Sequence, residues 1–268
     1  MPAERPEDET GPASLLSGAP HPVLAGWYGK ADARAGFVRR LFDAGAPDYD
    51  RLNRLFSFNS GAGYRARTLR GAGLRPGDRV LDVATGTGLV AREALRIVQS
   101  QGLVVGLDLS AGMLAVAAGR EGLALVMGDA GQLPICDAGF DMVTMGYALR
   151  HVADLRAAFA GFRRVLRPGG TLVLMEIASP PGRIRRRLAR LYLSRLVPLL
   201  GRLTGGGAAA DRMMRYYWDT IEHCVPEAVI LASLAASGFA EARCDTQFGL
   251  LKTYTARRAL PVRAARGP

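Results

Sequence analysis

The segment RVLDVATGTGLVAREALRIVQ, Arg79 to Gln99, constrains the fold more than any other. A short apolar strand runs into closely spaced glycines, and a helical apolar period begins at once. Glycines there let the backbone turn tightly and approach a ligand. The helix start adds N–H groups that its own turns leave unsatisfied. The pattern then repeats. LVVGLD (103–108) is a strand, and SAGMLAVAAGR (110–120) is a helix with Ser110 as its N-cap. LALVMGD (123–129) and FDMVTMGYAL (140–149) are strands, DLRAAFAGFRRVL (154–166) is a helix closed by RPGG, and TLVLMEI (171–177) is a strand. AEARCDTQF and LLKTYTARR read as a closing antiparallel pair. Near-continuous apolar strands alternating with helices imply a parallel sheet covered on both faces. The expected fold class is α/β: a doubly wound, mostly parallel seven-stranded sheet with an antiparallel closing strand. Such sheets bind ligands outside the carboxyl ends of their strands.

The flanking segments differ in character. Residues 1–25, rich in Pro, Gly, Glu and Ala, read as a disordered leader. One domain is expected over 26–256. It comprises a helical lead-in (26–78) that lids the site, a cofactor-binding core (79–177) and a helical cap insertion (178–222). Residues 257–268 read as a basic tail. In the cap, RIRRRLARLYLSRLVPLLGRL is amphipathic, with Arg183, Arg187, Arg190 and Ser194 on one face. That face is either a solvated cap surface or a contact with an anionic membrane. GGGAAAD reads as a hinge or loop, and RMMRYYWDTIEHC and PEAVILASLAASGF as helices. The net charge of +11 suits an anionic partner or reflects a genome that favours Arg codons. No apolar run reaches the roughly 18 residues of a membrane span. The N-terminus lacks a signal-peptide pattern, so a cytosolic protein is expected, with peripheral membrane contact at most. Cys136, Cys224 and Cys244 are scattered without disulfide or metal-ligand spacing, and no metal site is expected.

Every unusual polar residue falls at a strand end. Asp108 lies roughly 20 residues past the glycine loop, where an acid accepts from two ribose hydroxyls. Asp129 and Ala130 stand where an adenine can be read, with Asp129 accepting from its exocyclic amine. Asp82 ends the first strand and orders the loop of Gly86 and Thr87. Arg150 and His151 end the fourth strand. Arg150 stays charged and can hold a phenolate or polarise a water. His151 titrates near neutrality and can take a proton.

VLDVATGTG, GLDLSAGML, GDAGQLPICDAGFDMVT and RVLRPGGTLVLMEI together resemble the motifs of class I S-adenosylmethionine-dependent methyltransferases, enzymes of Rossmann-like fold. More narrowly, YDRLNRLFSFNSGAGYRARTL and YALRHVADLRAAFAGFRRVLRPGG resemble blocks of the ubiquinone/menaquinone biosynthesis C-methyltransferase family, over about Tyr49 to Phe239. The resemblance implies S-adenosylmethionine as cofactor. Thr87 and Asp108 would meet its methionine and ribose parts, and Asp129 and Ala130 its adenine. Gly146 stands near the cofactor where the family usually has serine. The family pairs the Arg with Asn and a Tyr from the lead-in, so the catalytic group here is Arg150, His151 and Tyr49. The Asn-to-His change either makes His151 the base itself or marks a different acceptor.

The expected activity is methyl transfer to carbon of a quinol- or phenol-like ring, in quinone or related aromatic biosynthesis. O- or N-methylation of another small molecule, or a non-catalytic cofactor-binding subunit, are the alternatives. Expected partners are an aromatic acceptor with or without a prenyl tail, a membrane surface and a second copy of the chain. Nucleic acid is not expected, because no basic patch is interleaved with stacking aromatics.

Overall fold

The computed structural model describes residues 18–57, 60–203 and 207–260. β1 (Arg79–Val83), β2 (Leu103–Asp108), β3 (Leu123–Met127), β4 (Phe140–Gly146) and β5 (Leu166–Ile177) run parallel. With β6 (Phe239–Gln247) and β7 (Leu251–Arg258) they form a seven-stranded sheet in the order β3-β2-β1-β4-β5-β7-β6. β7 is antiparallel to both of its neighbours. The winding reverses between β1 and β4, so a crevice opens at their carboxyl ends.

Successive strand residues point to opposite faces, and both faces are apolar. Val80, Val104 and Met142 pack on one side against Val90, Ala94 and Val98 of α3 (Leu89–Val98) and Leu69 of α2 (Gly61–Gly71). Leu81, Val105 and Val143 pack on the other against Phe159 and Phe162 of α5 (Leu155–Val165) and Leu234 of α9 (Glu227–Ala236). α4 (Ala111–Ala117) starts where expected, with the Ser110 side chain accepting from the Met113 N–H. The cap insertion forms α6 (Arg183–Leu191), a π turn (Tyr192–Leu196) and α7 (Val197–Leu203). α8 (Ala208–Glu222) follows and packs Met213 and Tyr216 against Phe37, Leu41 and Leu52 of α1 (Arg34–Phe56), the lid.

The structure moves several expected boundaries. β4 stops at Gly146, because Tyr147 adopts φ +62°; its N–H makes the last bond to β5, donating to the Met175 carbonyl at 2.6 Å. Arg150 and His151 therefore sit in a 3₁₀ turn, Leu149–His151. Leu166 leaves α5 and opens β5, with RPGG taken up in a register shift against β4. Ala208–Asp211 belongs to α8 rather than to a hinge. Residues 18–21 are packed, not disordered: the Gly18 carbonyl accepts from Leu155 at 2.5 Å and that of Pro20 from Val225 at 2.8 Å. His21 is buried. The rest of the leader, 1–17, lies outside the described residues, as does the tail from 261 onward; Arg257 and Arg258 end β7. Among the described residues, no helix is long and apolar enough to cross a membrane.

Candidate active site

The crevice at the switch between β1 and β4 is an open cleft beneath α1. Five of the sequence-predicted cofactor residues line it, Gly86, Asp108, Asp129, Ala130 and Gly146. Asp108 ends β2, and its carboxylate accepts from the Gly86 N–H at 2.7 Å and the Ser110 N–H at 2.8 Å. Burial pushes its pKa up, against those N–H groups, which lower it. Leu109 and Met113 add an apolar wall beside Asp129 and Ala130. Asp129 accepts from the Gly131 N–H at 2.7 Å, which fixes its carboxylate at the rim. A Cβ built at Gly86 meets no atom within 4 Å, so the loop backbone borders open space in the cleft. A Cβ at Gly146 would lie 2.7 Å from Val90 Cγ2, so the Val90 methyl takes up the space where a side chain at that position would begin.

Asp82 and Thr87 do not line the cleft. Asp82 is buried under it and accepts from Thr85 Oγ1 at 2.7 Å and Thr144 Oγ1 at 2.6 Å, tying the glycine loop to β4. Its burial raises its pKa to about 6. Thr87 is buried too, and its hydroxyl donates to Asp50 of α1 at 2.5 Å. Asp50 also pairs with Arg120 at 2.9 Å. Asp43, on the same helix, accepts from Ser110 Oγ at 2.6 Å and the Gly112 N–H at 3.0 Å. Thr87 therefore fastens the lid to the glycine loop.

Arg150 and His151 are adjacent but serve different cavities. Arg150 is 1% exposed. Its guanidinium donates to Glu176 Oε2 at 2.5 Å and to Thr220 Oγ1 at 3.1 Å, and lies 4.7 Å from the centre of the Tyr217 ring. Burial opposes its charge, and Glu176 foremost among several neighbours more than offsets that, raising its pKa. Glu176 also accepts from the Leu149 N–H at 2.7 Å, which fixes the turn. Arg150 faces a second, larger and mainly apolar cavity of about 880 Å³, bounded by Leu52, Ile177, Leu188, Leu193, Ile221 and Leu251 among others.

His151 faces the first cleft. Its ring stacks on Tyr216 at 5.3 Å and meets Phe42 edge-on at 5.3 Å. Both ring nitrogens are buried and lack a hydrogen-bond partner among the described residues. Burial, then the Arg150 charge, push its pKa well below the usual imidazole range. The expectation that His151 titrates near neutrality is thus corrected: it is a neutral imidazole of weak basicity.

Tyr49, Tyr147 and Tyr217 line both cavities and form the partition between them. Tyr217 Oη donates to Tyr49 Oη at 3.1 Å, and burial raises the pKa of both phenols. The sequence reading found Tyr49 but missed Tyr147, Tyr217 and Glu176. Tyr147 opens the quoted YALRHV block, and Glu176 is an acid at a strand end, so both left a signal. Tyr217 left none, being one aromatic among several in a helix. Arg34 was also missed; it lines the cleft and donates to the Arg150 carbonyl at 3.1 Å.

Residues 29–256 match the family model described as the ubiE/COQ5 methyltransferase family. The ubiquinone/menaquinone biosynthesis C-methyltransferase UbiE of Geobacter sulfurreducens is 34% identical over 233 residues, covering 83% of this chain and 89% of its own. The 2-phytyl-1,4-naphtoquinone methyltransferase of a Synechocystis species is 36% identical over 167 residues, covering 60% and 70%. Among solved structures, an Aquifex aeolicus SAM-dependent methyltransferase superposes with a TM-score of 0.54 at 16% identity, covering 73% and 89%. That last likeness concerns the fold alone.

Proposed function

The chain belongs to the ubiE/COQ5 methyltransferase family and is an S-adenosylmethionine-dependent methyltransferase, and from that premise we propose that it methylates a ring carbon of a quinol carrying an apolar tail, in quinone biosynthesis. The observation that carries this reading is the pair of cavities. A cleft lined by Gly86, Asp108, Asp129 and Ala130 and a large apolar cavity meet at a partition of three tyrosines, with a buried cation on the apolar side.

The cleft residues fit the cofactor. The Asp108 carboxylate, anchored by two backbone N–H groups, keeps lone pairs for a ribose diol. Asp129, Ala130, Leu109 and Met113 form a slot with one polar edge for adenine. The open space beside Gly86 admits the amino-acid portion. When bound, S-adenosylmethionine supplies an electrophilic methyl group on a sulfonium sulfur.

The chain's own groups act on the acceptor. A ring carbon becomes nucleophilic when the neighbouring hydroxyl loses its proton, and aromaticity returns when that carbon loses its own. Arg150, held charged by Glu176, stabilises the phenolate from the apolar side. The Tyr49–Tyr217 pair orients the acceptor oxygen at the partition, and neither phenol ionises readily. His151 packs the cofactor side and offers a neutral acceptor nitrogen, while α1 excludes water from the cleft. The acceptor protons leave through the open cavity to solvent.

The test is turnover with methyl-labelled cofactor and a panel of demethylated quinols and phenols of graded tail length, with products mapped by mass spectrometry. Label on a ring carbon of a tailed quinol is expected. Label only on oxygen or nitrogen would overturn the reading.

A further inference from the structure

From Arg183 to Leu203 the chain is one helical segment in which α6 and α7 are joined by the π turn. α6 buries none of its residues. Ile184, Leu188, Leu191, Leu196, Leu199 and Leu203 stand out from it, between 44% and 76% exposed. In an α-helix, the five-residue step from Leu191 to Leu196 would swing this stripe round by roughly 140°. That step falls in the π turn, whose hydrogen bonds reach to i+5 and close a wider turn. The two halves of the stripe therefore stay on one side. Beside them, Phe248 at the β6–β7 turn is 88% exposed and held at φ +55°, a conformation a bulky residue adopts only at a cost.

The same segment carries seven arginines and no acid. Among the described residues, only Arg202 of the seven is ion-paired, with Asp211. Pro181, Arg185, Leu188 and Phe248 are at once exposed and part of the apolar cavity wall, so they mark its mouth.

We propose that this face docks on an anionic phospholipid bilayer, with the leucine stripe and Phe248 in the acyl boundary and the flanking arginines on the headgroups. Apolar burial plus attraction to anionic lipid is what binds an amphipathic helix in the plane of a membrane. Arginine stems can lie along the apolar surface while their heads reach phosphate. A second copy of the chain fits this face poorly, since two surfaces of the same positive sign repel. The docking stands on the face alone. Only its purpose, to admit a tailed acceptor directly from the bilayer, rests on the function proposed above.

The test is partition of the full chain onto phosphatidylcholine vesicles with and without phosphatidylglycerol, by flotation. Salt-sensitive binding is expected on the anionic vesicles and much less on the neutral ones. Arg183→Glu with Arg187→Glu and Arg190→Glu should weaken it by at least on the order of a hundredfold. Ile184→Asp with Leu191→Asp should weaken it too, with cofactor affinity by calorimetry unchanged in both variants. No partition of the wild-type chain on anionic vesicles would overturn the proposal, even if a variant failed to fold. So would undiminished binding by a folded variant, or a leucine-stripe variant that changes oligomeric state by light scattering instead of partition. Methylation of a short-tailed quinol in solution reports on the proposed function separately.

Discussion

At the scale of single residues, Arg150 carries the most weight, and a simple deletion cannot isolate its role. Removing one partner of a buried ion pair costs about 3–5 kcal/mol, so Arg150→Ala should lose stability and turnover together. Arg150→Lys keeps a charge for Glu176 but loses the planar fork that also reaches Thr220. We expect that variant to fold and bind cofactor like the wild type, with kcat lowered on the order of a hundredfold. Calorimetry beside turnover measures both, and full turnover would remove Arg150 from the mechanism. Gly146 offers a second test. Val90 is β-branched and has little rotamer freedom in a helix, so Gly146→Ser meets its methyl at close range and should cost about 1–3 kcal/mol. Val90→Ala in the same chain should restore most of that loss. A denaturant double-mutant cycle showing no coupling would contradict the geometry. Asp108, Asp129 and Arg150 were legible because a charge at the end of an apolar strand stands out. Tyr217 was not, because its place at the partition depends on how α8 docks, 67 residues away from Arg150 in sequence.

At the scale of elements, the strands were plain from their apolar runs, whereas their ends were not. Nothing in the composition of YAL announces that Tyr147 turns to positive φ and stops β4. α1 is the opposite case. Gly45 and Pro47 lie inside it, and neither favours a helix interior. Its helix is held by packing on α8 and by the carboxylates of Asp43 and Asp50, which grip the starts of α4 and α3. The approach is close: a Cβ on Gly112 would come within 3.0 Å of the Asp43 backbone. The lid is thus fastened to the loops that bind cofactor, and its opening should limit cofactor exchange. Asp43→Ala with Asp50→Ala should speed cofactor release on the order of tenfold while the core melts much as before. Stopped-flow release into an excess of unlabelled cofactor measures this. An unchanged rate would mean that the lid does not gate the cleft.

At the scale of the whole molecule, the buried titratable groups pull stability in opposite directions over one pH range. His21 is buried beside the Arg34 guanidinium, and burial, then that charge, lower its pKa from 6.5 to about 4. The Nδ1–H donates to the Pro22 carbonyl at 2.7 Å, which leaves Nε2 to accept from Arg34. His151 is depressed for the same reasons. For both, the unfolded chain binds the proton more readily, so their contribution is present above the unfolded pKa and is lost as pH falls. Asp82 works the other way. Its pKa is raised to about 6, so the folded state holds the extra proton and stability falls as pH rises through the ordinary carboxylate range to about 6. The wild-type profile therefore understates each effect, and only a difference between variants separates them. His21→Gln can still accept from Arg34 and no longer titrates. Relative to wild type, its unfolding free energy should rise as pH is lowered from 7 towards 4, by on the order of 3 kcal/mol at about 1.4 kcal/mol per pH unit. Denaturant unfolding of both cofactor-free proteins at several pH values measures the difference. A variant whose stability ran parallel to the wild type across that range would show that His21 is not buried as a neutral ring beside Arg34.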